Sequence, residues 1–145
     1  AVTANAYRGA LDSLRTAGAC GGCPDWVTDE LNKISHRTYS TGFYFGRPEN
    51  AQTYKDAGYI RDYSVAAIVD GYEDGCITAV LKNKFFKGQT LDCLEPKAKP
   101  FLITATELFD GEGNPIDDAP RPMMKIKIPF SRPVKPGALL RMKTE

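Results

Sequence analysis

YIRDYSVAAIVDGYEDGCITAVLKNKF, residues 59–85, decides the fold. On either side of Glu73-Asp74-Gly75, apolar and β-branched residues alternate with polar ones. That period of two is the mark of a strand, since a helix would repeat every 3.6 residues. The same pattern returns in QTLDCLE (89–95), FLITATELF (101–109), PMMKIKIPF (122–130) and ALLRMK (138–143), broken by the turn signals KG, DGEGNP and KPG. Six short strands with polar turns and no helix between them predict a mainly β chain. A small antiparallel β-barrel suits them better than any parallel sheet.

Upstream the period is helical. Tyr7, Ala10, Leu11 and Leu14 fall at i, i+3, i+4 and i+7, which predicts a helix over residues 2–17 ended by Gly18. After Cys20-Gly-Gly-Cys23, Pro24 opens a second helix striped by Val27, Leu31 and Ile34. Its acids Asp25, Asp29 and Glu30 come early and Lys33 late, as the helix dipole prefers. Residues 1–34 are thus a helical pair, residues 35–145 a β domain, and RPENAQTYKDAG (47–58) a connecting loop with one helical turn.

The 145 residues, 42% apolar and 26% charged, suffice for one core plus a short helical appendage. No apolar run approaches the roughly 18 residues of a membrane span, and the start AVTANAYRG is no signal peptide. Opening at Ala directly on a helical pattern suggests a piece of something longer. Four cysteines and no Asn-x-Ser/Thr sequon predict a cytoplasmic protein. The net charge of +1 argues against strong nonspecific nucleic-acid binding, but it is unevenly placed. Residues 1–81 carry seven Lys/Arg against ten Asp/Glu, and residues 82–145 twelve against eight, so any basic face lies toward the C-terminus.

SHRTYSTGFYFG, residues 35–46, holds the chain's one histidine and four of its fourteen Phe and Tyr rings. Read as a strand, it puts Tyr39, Thr41, Phe43 and Phe45 on one face. The expectation is that these rings begin the core; the alternative is a platform that stacks on unpaired bases. His36, between Ser35 and Arg37, is expected to act as a cap or structural hydrogen bonder rather than a base. Cys20 and Cys23 have metal-ligand spacing but lack a second pair, so no metal site is expected, and Cys76 and Cys93 read as small buried apolar groups. DGEGNPIDD (110–118) has Pro115 where a calcium loop needs Gly and is read as a hairpin turn. Lys125 and Lys127 share a strand face opposite Met124, Ile126 and Ile128. With Lys82, Lys84, Lys87 and Arg121 they are the candidate phosphate contacts of an RNA-binding surface.

Taken together, ELNKISHRTYSTGFYFG, YIRDYSVAAIVDGY, NKFFKGQTLDCLEP, ELFDGEGNPIDDAPRPMMKIKIPF and VKPGALLRMK resemble the C-terminal region of the collagenase-like peptidase family (family U thirty-two). Members of that family include proteins of prephenate-dependent tRNA uridine 5-hydroxylation. Ser35, His36, Arg37, Tyr39, Thr41, Gly42, Phe43, Tyr44, Phe45 and Gly46 carry its most specific motif. The resemblance implies that the N-terminal helices are the tail of an upstream (βα)8-type domain of the same chain. It also implies an appended barrel similar to the second-domain barrels of translation factors. Catalytic machinery, including cysteines associated with an iron–sulfur cluster, belongs to the upstream domain; Cys20 and Cys23 match none of its positions, so no cofactor is expected here. The implied role is a noncatalytic accessory domain that assists tRNA binding for uridine hydroxylation. The alternatives are a domain presenting peptide or collagen to a true peptidase, and a purely structural module that stabilises its parent.

Overall fold

The computed structural model describes residues 1–17, 22–47 and 58–144. Helices α1 (Val2–Ala17) and α2 (Asp25–Asn32) precede a mainly β region. Its long strands are β1 (Tyr63–Glu73) and β2 (Cys76–Leu81), joined through Asp74 (φ 51°) and Gly75 (φ 77°). Two consecutive left-handed residues give the turn whose twist matches that of the strands it joins. Short strands follow: β3 (Phe85–Phe86), β4 (Thr90–Leu94), β5 (Phe101–Thr104), β6 (Phe109–Asp110), β7 (Asp118–Ala119), β8 (Lys125–Pro129) and β9 (Leu139–Lys143).

Seven strands form one sheet in the order β5-β4-β9-β1-β2-β8-β6, antiparallel at every step, and β3 pairs with β7 as a separate ribbon. Register shifts at Val65/Ala67 and Val69/Gly71 kink β1 at the centre of this order. Bulges sharpen twist and bend the strand that carries them, so the sheet curls. The antiparallel, mainly β architecture expected from the turn-punctuated alternation is present as a curled sheet, a half-barrel. Its concave face buries Ile77, Leu81, Leu91, Ile103, Ile128 and Leu140 in one cluster, and the ribbon adds Phe85 and Ala119 to it. Each large aliphatic side chain removed from water this way stabilises the fold by about 1.5–3 kcal/mol.

Two predicted strands divide. GCITAVLKNKF stops after Leu81 because the N–H groups of Lys82 and Asn83 both donate to the Ala66 carbonyl and the Asn83 side chain donates to that of Val65, turning the chain. FLITATELF breaks where Ala105 turns aside to exchange hydrogen bonds with the 88–89 segment. The two residues of β7 are too few to show a period. DGEGNPIDD forms the expected turn: Asp110 accepts from the N–H of Glu112 and of Asn114 and from the Asn114 side chain. Side-chain and backbone hydrogen bonds from Asn114 hold its carboxyl below the usual range. Gly18, Cys20 and most of the 47–58 loop lie outside the described residues.

The helices pack on each other through Gly9, where a Cβ would overlap the Trp26 ring, and Ala6 and Val27 are buried. Asn5 fastens α1 to the loop after β4, its Nδ2 donating to the Ala98 carbonyl at 2.9 Å and its Oδ1 accepting from the Lys97 N–H at 2.7 Å. This docking uses the Asn5/Ala6/Gly9 face. The apolar stripe Tyr7, Leu11 and Leu14 therefore stays exposed.

Candidate functional site

Strands β4 and β9 are covered on both faces, and the side away from the core holds charge. Glu30 on α2, Asp92 on β4 and Arg141 on β9 are each at most 5% exposed. Asp92 and Arg141 are direct cross-strand partners. The Arg141 guanidinium grips Glu30 with two bonds of 2.8 and 2.9 Å and reaches Asp92 at 2.7 Å. Lys33 joins both carboxylates at 2.7 and 3.0 Å and lies 5.4 Å from the centre of the Tyr63 ring. Two acids and two bases balance. Burial opposes the charge on Glu30, but hydrogen bonds from Arg141 and Lys33 outweigh it and hold that carboxyl below its usual range. Burial likewise opposes the charge on Lys33, and its bonds to Asp92 and Glu30 hold the ammonium above its usual value. The quartet fixes α2 to the sheet. Sequence reading missed it, matching Glu30 and Lys33 only to the helix dipole.

The sequence-predicted cations separate into two groups. Segments 81–87 and 117–123 run side by side: Met123 N–H donates to Leu81, Lys87 N–H donates to Asp117, and β3 pairs with β7. Lys82, Lys84, Lys87 and Arg121 therefore lie on two adjoining segments that also carry Asp117 and Asp118, with Lys82 Nζ 3.3 Å from the Met123 sulfur. Lys84 is paired with Asp118 at 2.7 Å and sits 4.8 Å from the centre of the Phe86 ring. Lys125 and Lys127 stand opposite Val80 and Thr78, facing a groove they share with Asp70 and Glu73. As expected, Ile126 and Ile128 point the other way into the core.

The 35–46 segment corrects the core expectation. Tyr39, Phe43, Tyr44 and Phe45 are 58%, 73%, 85% and 82% exposed. A β ladder needs a partner along its length, and among the described residues this segment makes a single bridge, between His36 and Ile60. Beyond it the chain coils into turns, with Tyr44 N–H donating to Thr41 and Gly46 N–H to Phe43. Gly42 (φ 54°) and Gly46 (φ 103°) supply left-handed backbone there. The base of the turn is fastened: His36 Nδ1 donates to the Ile34 carbonyl at 2.8 Å, Tyr39 stacks on the His36 ring, and the Tyr39 hydroxyl donates to the Leu31 carbonyl. Ser35 accepts from Arg61, and Arg37 and Arg61 lie 5.0 and 5.8 Å from the centre of the Tyr59 ring. His36 is thus a structural hydrogen bonder, as its position at a helix end predicts.

Of the free cysteines, Cys23 lies in the stretch before α2, Cys76 on β2 and Cys93 on β4, and among the described residues no group of three or more His, Cys, Asp or Glu side chains could hold a metal. Burial, with Glu95 nearby, pushes the Cys93 thiol up to about 12. Because the thiolate is the reactive form, iodoacetamide on the native protein should modify exposed Cys23 and spare Cys93 until denaturant is added. Peptide mapping by mass spectrometry reads the order, and early labelling of Cys93 would mean that strand β4 opens in the native state.

Two N-terminal helices, the second locked by a buried ion quartet onto an antiparallel half-barrel, define a mainly β module. Residues 61–141 match the Peptidase family U32 C-terminal domain, and the chain belongs to that family. It is similar to the solved C-terminal domain of a Geobacillus thermoleovorans U32 peptidase in its selenomethionine form: 27% identity, TM-score 0.52, covering 55% of this chain and 99% of that one. A second structure of that domain gives 26% identity and a TM-score of 0.50, covering 56% and 92%. Over 120 residues the chain is 25% identical to tRNA hydroxylation protein P1 of Bacillus subtilis (strain 168). That match takes in 81% of this chain and 28% of the relative's length. Among the described residues no helix is long and apolar enough to cross a membrane.

Proposed function

We propose that this chain is an accessory, noncatalytic module of a larger protein acting on tRNA, and that its cationic rim contacts the phosphate backbone. The observation that carries the reading is that the segment bearing Lys82 and Lys87 runs alongside the one bearing Arg121. Similarity to a protein named for tRNA hydroxylation supports the choice of tRNA. In this reading the helical pair, residues 1–34, is the tail of a preceding (βα)8-type domain, and the exposed stripe Tyr7, Leu11 and Leu14 faces that domain. Uridine hydroxylation belongs to the parent's preceding part, as does any cluster it uses.

Phosphate contacts release counterions, so affinity must fall with salt. Unmodified tRNA should bind the chain with log Kd rising linearly in log salt concentration. Replacing Lys82, Lys87 and Arg121 together with Gln should weaken binding and flatten that slope by about one unit for each phosphate no longer neutralised. Absent binding, or a slope that does not change, would reject the rim as the RNA-binding surface.

A further inference from the structure

We propose that the exposed aromatic turn, residues 36–46 with its flanking arginines, stacks on the unpaired bases of a single-stranded RNA segment. This inference rests on the RNA reading above and names which part of the substrate the turn takes. Ser35 through Arg47 contain hydroxyls, four Phe/Tyr rings, a histidine and two arginines, with no Asp or Glu and no aliphatic side chain. A protein-docking surface exposing this much apolar area would be expected to mix aliphatic side chains with its rings. Rings flanked by cations and without acids instead suit a polyanion whose bases offer flat π faces.

The geometry fits the same partner. Phe43, Tyr44 and Phe45 project from consecutive positions of a turn, so their faces are accessible from solvent, and Tyr44 meets Phe45 edge to face with centroids 5.0 Å apart. Below them the support is preorganised. His36 and Tyr39 are stacked at 4.6 Å and nearly parallel, and the Tyr39 hydroxyl is tied to the end of α2. Arg37 and Arg61 both lie against the Tyr59 ring and add positive charge near the base of the turn, and the Thr144 hydroxyl, just past β9, donates to the Arg61 carbonyl. The fastened base limits the freedom that the backbone of the turn would lose on binding, which favours affinity. The lysine rim tracks backbone charge in paired or unpaired RNA, whereas rings can engage only bases that are free to unstack.

The test uses two labelled probes of equal charge, a uridine-rich single strand and a blunt RNA duplex, on the whole 145-residue chain. Changing Phe43, Tyr44 and Phe45 together to Ala should weaken single-strand binding by roughly ten- to a thousandfold. Duplex binding, the salt slope and the urea midpoint should not move, because these side chains lie outside the core. Trp at the same three positions should keep single-strand affinity. Equal loss on both probes would mean that the rings do not read unpaired bases. If the Ala variant binds both probes as the parent chain does, the inference fails while the phosphate-contacting rim stands; if it also lowers self-association in light scattering, the turn is a protein-docking element instead. A parent chain that binds neither probe overturns both proposals.

Discussion

Replacing Arg141 with Ala is expected to lower the unfolding free energy by about 3–5 kcal/mol, the usual penalty for removing one partner of a buried ion pair. The size follows from what is left behind. Glu30 and Asp92, both shut away from water, would share Lys33 alone as a counter-charge. Urea unfolding followed by circular dichroism measures the loss. Converting Glu30 to Met, Asp92 to Leu and Arg141 to Met together should restore most of it, since an apolar set of similar volume removes the fully buried ions and leaves only Lys33, whose side chain is 20% exposed and can turn to water. Acid should act like the single substitution. Glu30 titrates lower in the fold than its unfolded value of about 4.3, so its contribution is complete above that pH and disappears as pH falls through the folded value. Lys33 works in reverse: its contribution is complete below about pH 10.4 and is lost as pH rises through its raised folded value. The Glu30→Gln variant should therefore show a flatter acid limb. A loss below about 1 kcal/mol for Arg141→Ala, the scale of an exposed pair, would show that water reaches the quartet.

How legible this molecule is in its sequence depends on whether a feature is local. The helix over 2–17 and the Asp74-Gly75 turn are written in neighbouring residues, and both stand where the pattern puts them. The quartet is not local: Glu30 and Arg141 are 111 positions apart, and a charge on a strand reads as solvent-facing unless one knows that a helix lies over it. One signal does exist, because Asp92 sits in the otherwise apolar run Leu91-Asp92-Cys93-Leu94, all of it buried on two-sided β4. The aromatic segment misleads for the opposite reason. Its alternation is a sound strand pattern, yet strand formation depends on a partner edge. Gly42 and Gly46 favour the turn where that partner is lacking. The stripe on α1 is apolar as its spacing says, but an apolar face does not say what covers it, and in this chain α1 is fastened to the loop after β4 through Asn5 and buries Ala6 instead. Among the site residues, the rim cations are recognisable as a group because residues 82–87 are contiguous. Their meeting with Arg121 requires the ribbon that no periodicity announces.

That ribbon gives the second large effect. Phe85 and Phe86 are adjacent and chemically identical, but β3 turns Phe85 into the core and leaves Phe86 half exposed beneath Lys84. Phe85→Ala should cost about 3–5 kcal/mol, from the forfeited transfer energy of the ring plus the cavity it vacates. Phe86→Ala should cost under about 1 kcal/mol, limited to a partly wet ring and one exposed cation–π interaction. The consequences for binding should differ as well. Phe85 sits between Lys84 and Lys87, and its pairing with Ala119 holds the segment ending at Arg121 alongside them. Losing that anchor should let the rim cations spread, so a folded Phe85→Leu variant should bind tRNA with a shallower salt slope at unchanged net charge. Phe86→Ala leaves the ladder intact and should leave the slope alone. Similar destabilisation by the two Ala variants would mean that β3 does not hold its observed register, and with it the facing segments would no longer bring the lysines to Arg121.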